Sequence, residues 1–243
     1  MNRTEHSILN LVTFANEKQL RDSLLMHHLP SFTGTTTFVR REVPMGEVIP
    51  DIIYVGFRSP PKHSMWSRKW TFRHSFVLSL VRHRHRLHKE TIACLCYETE
   101  ERISSLLIDL QRSGAIVQNS NGSYSLSRDM SHIKACVVAV ETKLRRWRDA
   151  LEQAKMYRRF ADESIVVMAA VYVPKQKDDL SLFRKAGVGL CAATPKGVCW
   201  VIKPKNSCPM GAEREYLIGS AARGGQTLWS CLKSLKASRQ AVT

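Results

Sequence analysis

Two short motifs place acidic side chains and an amine beside apolar runs of the sequence. Asp51 lies within one apolar run, and Glu141 and Lys143 follow another. Because side chains alternate between the two faces of a strand, Glu141 and Lys143 are predicted to share a face. If the two runs form neighbouring strands, Asp51 and Glu141 converge on one hard cation. Such a pair suits Mg²⁺, which takes oxygen ligands and keeps several waters.

Lys143 has a chemical role beside such a cation. Its amine is placed to orient or help deprotonate an attacking water, or to stabilise the charge that develops on a phosphorane. As purely structural groups, a buried Asp and Glu would be costly because buried charges need partners. The alternative is that Glu141 and Lys143 form a solvent-facing ion pair at a strand end.

The segments RREVPMGEVIPDIIYV and CVVAVETKLRRWRDALEQAKMYRRFAD resemble the PD-(D/E)xK nuclease superfamily. Restriction endonucleases and the nuclease domains of recombination helicases belong to it. The resemblance implies that Asp51 and Glu141 bind a divalent metal, Mg²⁺ or Mn²⁺, and that Lys143 serves catalysis.

Three further residues enter the predicted site through this resemblance. Many members carry Gln-x-x-x-Tyr on the helix after the lysine, and this chain has Gln153 and Tyr157, which an i, i+4 spacing puts on one helix flank. Some members add a glutamate on the first helix, for which Glu17 is the candidate. The alternatives are that Gln153 and Tyr157 only flank an apolar stripe and that Glu17 is solvated.

The resemblance covers residues 5–57 and 133–203, with a long insertion between its two motifs. The superfamily usually separates the motifs by a short hairpin. Here three helical patterns and a hairpin around Asn119–Gly122 predict a winged-helix unit, and an inserted domain is tolerated if its ends lie close together. If Asp51 is not the partner of Glu141, Glu42 and Glu47 are the fallbacks.

The predicted fold is α/β: a restriction-endonuclease-like mixed sheet flanked by helices, with an inserted winged-helix domain. The expected division is a discontinuous core over 1–60 and 131–205, an insertion over 66–130, and a basic, flexible tail over 206–243. Periodicity and turn signals predict these elements: helices over 4–29, 71–83, 89–97, 100–113, 144–160 and 180–186, and strands over 35–43, 48–57, 115–118, 123–126, 135–140, 164–173, 187–193 and 198–202.

The charge of the chain predicts a polyanionic partner. The 243 residues contain 37 Lys and Arg against 21 Asp and Glu, a formal charge of +16. Nucleic acid is the partner that such a balance favours, and the resemblance favours DNA over RNA. The basic residues predicted to contact nucleic acid are Arg82, Arg84, Arg86, Lys89, Arg102, Arg145 and Arg148. Because Glu98, Glu100 and Glu101 would repel phosphates, the winged-helix unit is also a candidate for binding protein partners.

Other compartments and classes are disfavoured. The sequence has no run of about 20 apolar residues that could span a bilayer, and its first residues lack the pattern of a signal peptide. Seven scattered cysteines do not form a disulfide framework. These features predict a cytoplasmic protein that is not bound to a membrane.

Together these observations predict a Mg²⁺-dependent nuclease that hydrolyses phosphodiester bonds, with DNA as the expected substrate, in a repair, restriction or defence context. The alternative is a non-catalytic DNA-binding regulator, or an interaction subunit, that retains the nuclease fold.

Overall fold

A computed structural model describes residues 14–27, 36–58, 70–224 and 226–227. Within them the chain is an α/β protein whose mixed sheet is flanked by helices, as predicted. The helices are α1 (Glu17–His27), α2 (Phe72–Arg84), α3 (Lys89–Cys96), α4 (Glu100–Arg112), α5 (Arg128–Ser131), α6 (Trp147–Tyr157), α7 (Lys177–Ala186) and α8 (Ala212–Gly224), with a 3₁₀ turn at Ala170–Tyr172. The strands are β1 (Thr36–Arg41), β2 (Ile52–Phe57), β3 (Ile116–Gln118), β4 (Tyr124–Leu126), β5 (Ala135–Lys143), β6 (Glu163–Ala169), β7 (Gly189–Thr194), β8 (Gly197–Ile202) and β9 (Gln226–Thr227).

The large sheet has the strand order β8-β7-β6-β5-β2-β1-β9. Its centre is parallel, since β5, β6 and β7 run in the same direction. The other neighbouring pairs are antiparallel. The apolar runs of β5 and β6 suit strands that are buried on both faces. Pairing of β5 with β2 follows the register Ile52↔Val140, so the start of β2 lies beside the end of β5.

Each face of the sheet has its own core. On one face, α1 packs Leu20, Leu24 and Leu25 against side chains that include Ile52 and Val140. Ile53, Val137 and Ala139 point to the opposite face, where α6 contributes Ala150, Leu151 and Ala154. This alternation places successive residues at the end of β5 on opposite faces of the sheet.

The inserted segment contains the predicted helices and hairpin. Helices α2, α3 and α4 are followed by the hairpin β3–β4, and Thr99 caps α4 by accepting a hydrogen bond from the Arg102 amide. The segment shares one hydrophobic core with the sheet, since that cluster runs from Val137 on β5 to Leu78 on α2. Among the described residues, the inserted segment and this face of the sheet therefore pack together.

Within the tail predicted over 206–243, residues 212–224 form the helix α8. Leu217, Ile218 and Ala221 are buried in the core shared with α2, and α8 packs along α2. The short strand β9 then pairs with β1. The glycines of this segment suggested irregular structure, whereas its apolar residues are stabilised by long-range packing. Residues 228–243 lie outside the described part of the chain.

Two predicted helices begin later than expected. The first starts at Glu17, where Asn16 Oδ1 accepts a hydrogen bond from the Gln19 amide and caps the helix. Residues 1–13 lie outside the described part. Helix α6 starts at Trp147 because β5 continues to Lys143 and the chain must turn before it enters the helix.

In the described part of the chain, no helix combines the length and the apolar character needed to cross a bilayer.

Candidate active site at the ends of strands β2 and β5

The pairing of β5 with β2 brings the two sequence motifs together. Asp51 immediately precedes β2, and Glu141 to Lys143 are the last residues of β5. The side chains of Asp51 and Glu141 are close enough for the charge of Asp51 to raise the pKa of Glu141. We call the three residues Asp51, Glu141 and Lys143 the carboxylate–lysine cluster.

Glu141 and Lys143 share a face of β5, as the strand period predicted. Glu141 Oε1 lies 2.9 Å from Lys143 Nζ, and its Oε2 accepts a 2.5 Å hydrogen bond from the hydroxyl of Tyr157 on α6. Glu141 is only 2% exposed. A solvent-facing ion pair is therefore not what the structure contains, because the carboxylate is buried and has two partners.

Burial and mutual contacts shift the pKa values of Glu141, Lys143 and Tyr157. Desolvation raises the pKa of Glu141, and the charge of Asp51 adds to the rise, while contacts with Tyr157 and Lys143 oppose it. Burial alone would lower the pKa of Lys143, but its hydrogen bond and charge interaction with Glu141 outweigh that effect and raise it. Desolvation, followed by the charge of Glu141, raises the pKa of Tyr157. Tyr157 therefore stays a hydrogen-bond donor.

Asp51 is fixed by backbone and side-chain donors. Its Oδ2 accepts hydrogen bonds from the Thr142 amide at 2.7 Å and the Thr142 hydroxyl at 2.6 Å. Its Oδ1 accepts from Arg21 Nη1 at 3.2 Å. Neither Thr142 nor Arg21 was predicted from the sequence. Thr142 occupies the variable position between the motif residues, and its β5 neighbours gave no signal for this contact.

Helix α1 contacts the cluster through two residues of opposite charge. Glu17 Oε2 lies 3.8 Å from Lys143 Nζ, and Arg21 contacts Asp51. Their i, i+4 spacing puts both side chains on one flank of α1. Glu17 thus lies beside Lys143, and the same spacing was the signal that could have identified Arg21.

The two residues predicted on α6 differ in their positions. Tyr157 is fully buried and contacts Glu141. Gln153 is half-buried and lies one turn earlier on the same flank, without a hydrogen bond to the cluster in the part of the chain that the structure describes. The structure therefore brings only Tyr157 into contact with the catalytic candidates.

The fallback carboxylates occupy different positions. Glu42, with a left-handed φ of 48°, is exposed and lies 2.8 Å from Arg21 Nη1. Glu47 is exposed in the turn before β2. Asp51, rather than either of these, is the acid beside Glu141.

A divalent cation at the carboxylate–lysine cluster would depend on the oxygen atoms that the cluster offers. Among the described residues, no group of three or more His, Cys, Asp or Glu side chains is arranged to hold a metal. The cluster offers two carboxylates. Mg²⁺ is commonly held by one or two carboxylates, with water and substrate phosphates as its other ligands. Two oxygen donors beside a lysine are therefore compatible with Mg²⁺ that binds together with a phosphate-bearing substrate.

The predicted nucleic-acid contacts fall into three groups. Arg82 forms an ion pair within the fold, because its guanidinium contacts Glu215 on α8 at 2.6 Å and 3.3 Å. Arg84 and Arg86 are exposed. The others have partners at the surface: Lys89 with Glu100, Arg102 with Glu98, Arg148 with Asp179, and Arg145 over the ring of Tyr172. Exposed pairs of this kind are weak and open easily, whereas the Arg82 pair is not. We therefore remove Arg82 from the predicted binding surface.

Comparisons of the chain with family models, curated proteins and solved structures found no significant match. The class of protein is thus defined by the structure alone: an α/β protein with a mixed sheet flanked by helices.

Proposed function

We propose that this chain is a Mg²⁺-dependent nuclease of the PD-(D/E)xK type that hydrolyses phosphodiester bonds, with DNA as the substrate. The observation that carries the proposal is the buried carboxylate of Glu141, which lies between Lys143 and Tyr157 and beside Asp51. A buried carboxylate is costly as a purely structural group, and perturbed ionisable groups gather at functional sites. The mixed sheet flanked by helices supports the same assignment.

Each residue of the cluster has a distinct role in this proposal. Asp51 and Glu141 would hold Mg²⁺, which when bound activates water and neutralises phosphate charge. Thr142 fixes the carboxylate of Asp51 with two hydrogen bonds. Tyr157 fixes that of Glu141. Lys143 presents a positive charge where negative charge develops on the phosphate. In a repair, restriction or defence setting, such a site would cut DNA.

The direct test is a cleavage assay on plasmid, linear and single-stranded DNA. Cleavage is expected with Mg²⁺ or Mn²⁺ and absent in EDTA. Ca²⁺ is expected to support little cleavage, because its larger and looser coordination shell misplaces the water. The same assay with RNA substrates shows whether the chain cleaves DNA, RNA or both. Absence of metal-dependent cleavage on all of these substrates would contradict the proposal.

The contact between Arg21 and Asp51 favours a second candidate, a non-catalytic DNA-binding regulator that retains the fold. Both oxygens of Asp51 have donors, and one of these donors is a cation. A protein that never binds metal would gain from such a pairing. Metal titration separates the two candidates, because only the nuclease requires that Asp51 accept Mg²⁺ beside Arg21.

For the nuclease, Arg21→Gln is expected to tighten Mg²⁺ binding by about tenfold. The substitution removes a positive charge that competes for Asp51, while the two Thr142 hydrogen bonds keep the carboxylate in place. Tenfold corresponds to about 1.4 kcal/mol. This is above the range of about 0.2–1 kcal/mol for fully exposed ion pairs, because the side chains of Arg21 and Asp51 are only 21% and 20% exposed. Calorimetric titration of the full chain measures this. Lys18→Gln on the same helix is the control, since Lys18 is exposed and is expected to leave the affinity unchanged. An equal or weaker affinity for Arg21→Gln would contradict the expectation.

A further inference from the structure

Residues 84–88, here called the basic loop, run from the last residue of α2 to the residue before α3. The loop contains Arg84, His85, Arg86 and His88, all of them exposed, and no carboxylate. In the described part of the chain, neither Arg84 nor Arg86 has an ion-pair partner. Two cationic side chains and two imidazoles are therefore presented to solvent within a single short loop.

The basic residues that flank the loop are paired. Before it, Arg82 contacts the buried carboxylate of Glu215. After it, Lys89 Nζ lies 2.9 Å from Glu100. Glu215 and Glu100 thus neutralise the two ends of the loop. Glu213 lines the same pocket as Arg84, but its ion pair is with Arg159.

The backbone of the loop is held in an unfavourable conformation. His85 and Arg86 both have left-handed φ values, 32° and 56°. Such conformations cost about 1–3 kcal/mol for each non-glycine residue and persist only where the surroundings enforce them. Here the hairpin β3–β4 supplies that constraint, since the Tyr124 amide donates a 2.8 Å hydrogen bond to the Leu87 carbonyl. The loop is therefore pre-organised.

We propose that the basic loop is a docking site for the phosphates of nucleic acid, separate from the carboxylate–lysine cluster. The inference rests on the proposed function, because it assigns part of the surface that would bind the nuclease's substrate. Exposed arginines without acid partners are suited to phosphate contacts, which position a protein without reading sequence. The start of α4 is not suited to them, because Glu100 and Glu101 would repel phosphates.

The test compares two charge-matched double variants of the full chain. Arg84→Gln/Arg86→Gln removes the charge of the loop, while Arg112→Gln/Arg128→Gln removes the same charge from exposed positions elsewhere in the inserted segment. Binding to a labelled DNA duplex is measured by anisotropy in EDTA at several salt concentrations. Because EDTA prevents metal-dependent cleavage, this result does not depend on whether the chain proves to be a nuclease.

The wild type is expected to lose roughly a thousandfold in affinity between 50 and 200 mM salt, as for a protein that contacts six or more phosphates. For the loop variant, the slope of log K against log salt should be shallower by about 1.8, the value for two lost contacts. Its affinity at 100 mM salt should fall by about 10- to 100-fold. The control variant should retain the wild-type slope.

Three results would overturn the proposal. The first is a loop variant whose slope of log K against log salt equals that of the wild type. The second is an equal decrease of that slope in both double variants, which would indicate diffuse binding over the surface. The third is a wild type that binds vesicles of anionic phospholipid but does not bind DNA. Thermal melting of both variants distinguishes a loss of binding from a loss of folding.

Discussion

Glu141→Gln is expected to reduce Mg²⁺-dependent DNA cleavage by at least about a hundredfold and to weaken Mg²⁺ binding, because it removes one of the two carboxylates proposed to hold the metal. The substitution keeps the size of the side chain, and Tyr157 can still donate to the amide oxygen. Glu152→Gln on α6 is the matched control, since its carboxylate is 67% exposed and, among the residues that the structure describes, pairs only with Lys155. Equal cleavage by the Glu141 variant and the wild type would show that the site is misassigned.

Lys143→Ala tests a different step and should separate binding from chemistry. Cleavage should fall strongly, because the charge of Lys143 matters most as the transition state forms. Mg²⁺ affinity should not decrease, since Lys143 provides no ligand. A parallel loss of metal affinity in Lys143→Ala and Glu141→Gln would argue against these separate roles.

Because the pKa of Glu141 is raised, the variant Glu141→Gln can also be tested by the dependence of its stability on pH. Between the ordinary value of 4.5 and the raised value, the native state holds a proton that the unfolded chain releases. The free energy of unfolding of the wild type therefore falls as pH rises through this interval. Glu141→Gln has no such proton. Its stability relative to the wild type should increase as pH rises above 4.5, as thermal melting at several pH values would measure. If the relative stability of Glu141→Gln does not increase with pH, the contacts of Glu141 with Lys143 and Tyr157 fully offset the cost of burying its charge.

Arg82→Met is expected to destabilise the fold by about 2–4 kcal/mol, because it leaves the carboxylate of Glu215, which is 2% exposed, without its bidentate partner. In a chain of this length, that loss lowers Tm by roughly 5–15 °C. Arg84 lies two residues later and is exposed, so Arg84→Met should change stability by no more than about 0.5 kcal/mol.

A double variant identifies the cause of the Arg82 effect. Arg82→Met combined with Glu215→Leu replaces both partners by apolar side chains, and it should recover most of the lost stability. If Arg82→Met alone melts like the wild type, the pair contributes little, and Arg82 returns to the set of candidate phosphate contacts.

The sequence determined the features that depend on local periodicity. The period of two along β5 predicted that Glu141 and Lys143 share a face, and the structure confirms it. The helical periods and turn residues of the inserted segment predicted α2, α3, α4 and the β3–β4 hairpin within one or two residues. These predictions succeed because neighbouring residues fix both backbone geometry and side-chain direction.

The position of Asp51 beside β5 was predicted only through the resemblance, because no local pattern specifies which strands pair. The tertiary structure decided this pairing. It also decided that Thr142 and Arg21 occupy the oxygens of Asp51. These contacts join residues far apart in the chain, and their identities depend on how α1 and β5 pack.

The remaining differences from the sequence analysis have the same physical origin. Arg82 lies in a dense basic run and so resembles its neighbours in sequence, yet it is Arg82 that forms the ion pair with the buried Glu215 of α8. Residues 212–224 were predicted to be flexible, because their glycines indicate weak local preference for a helix. Packing of Leu217 and Ile218 into the core shared with α2 stabilises that helix instead. Local sequence fixes which structures are accessible, whereas burial against distant elements decides which one forms and which charges remain free to bind a ligand.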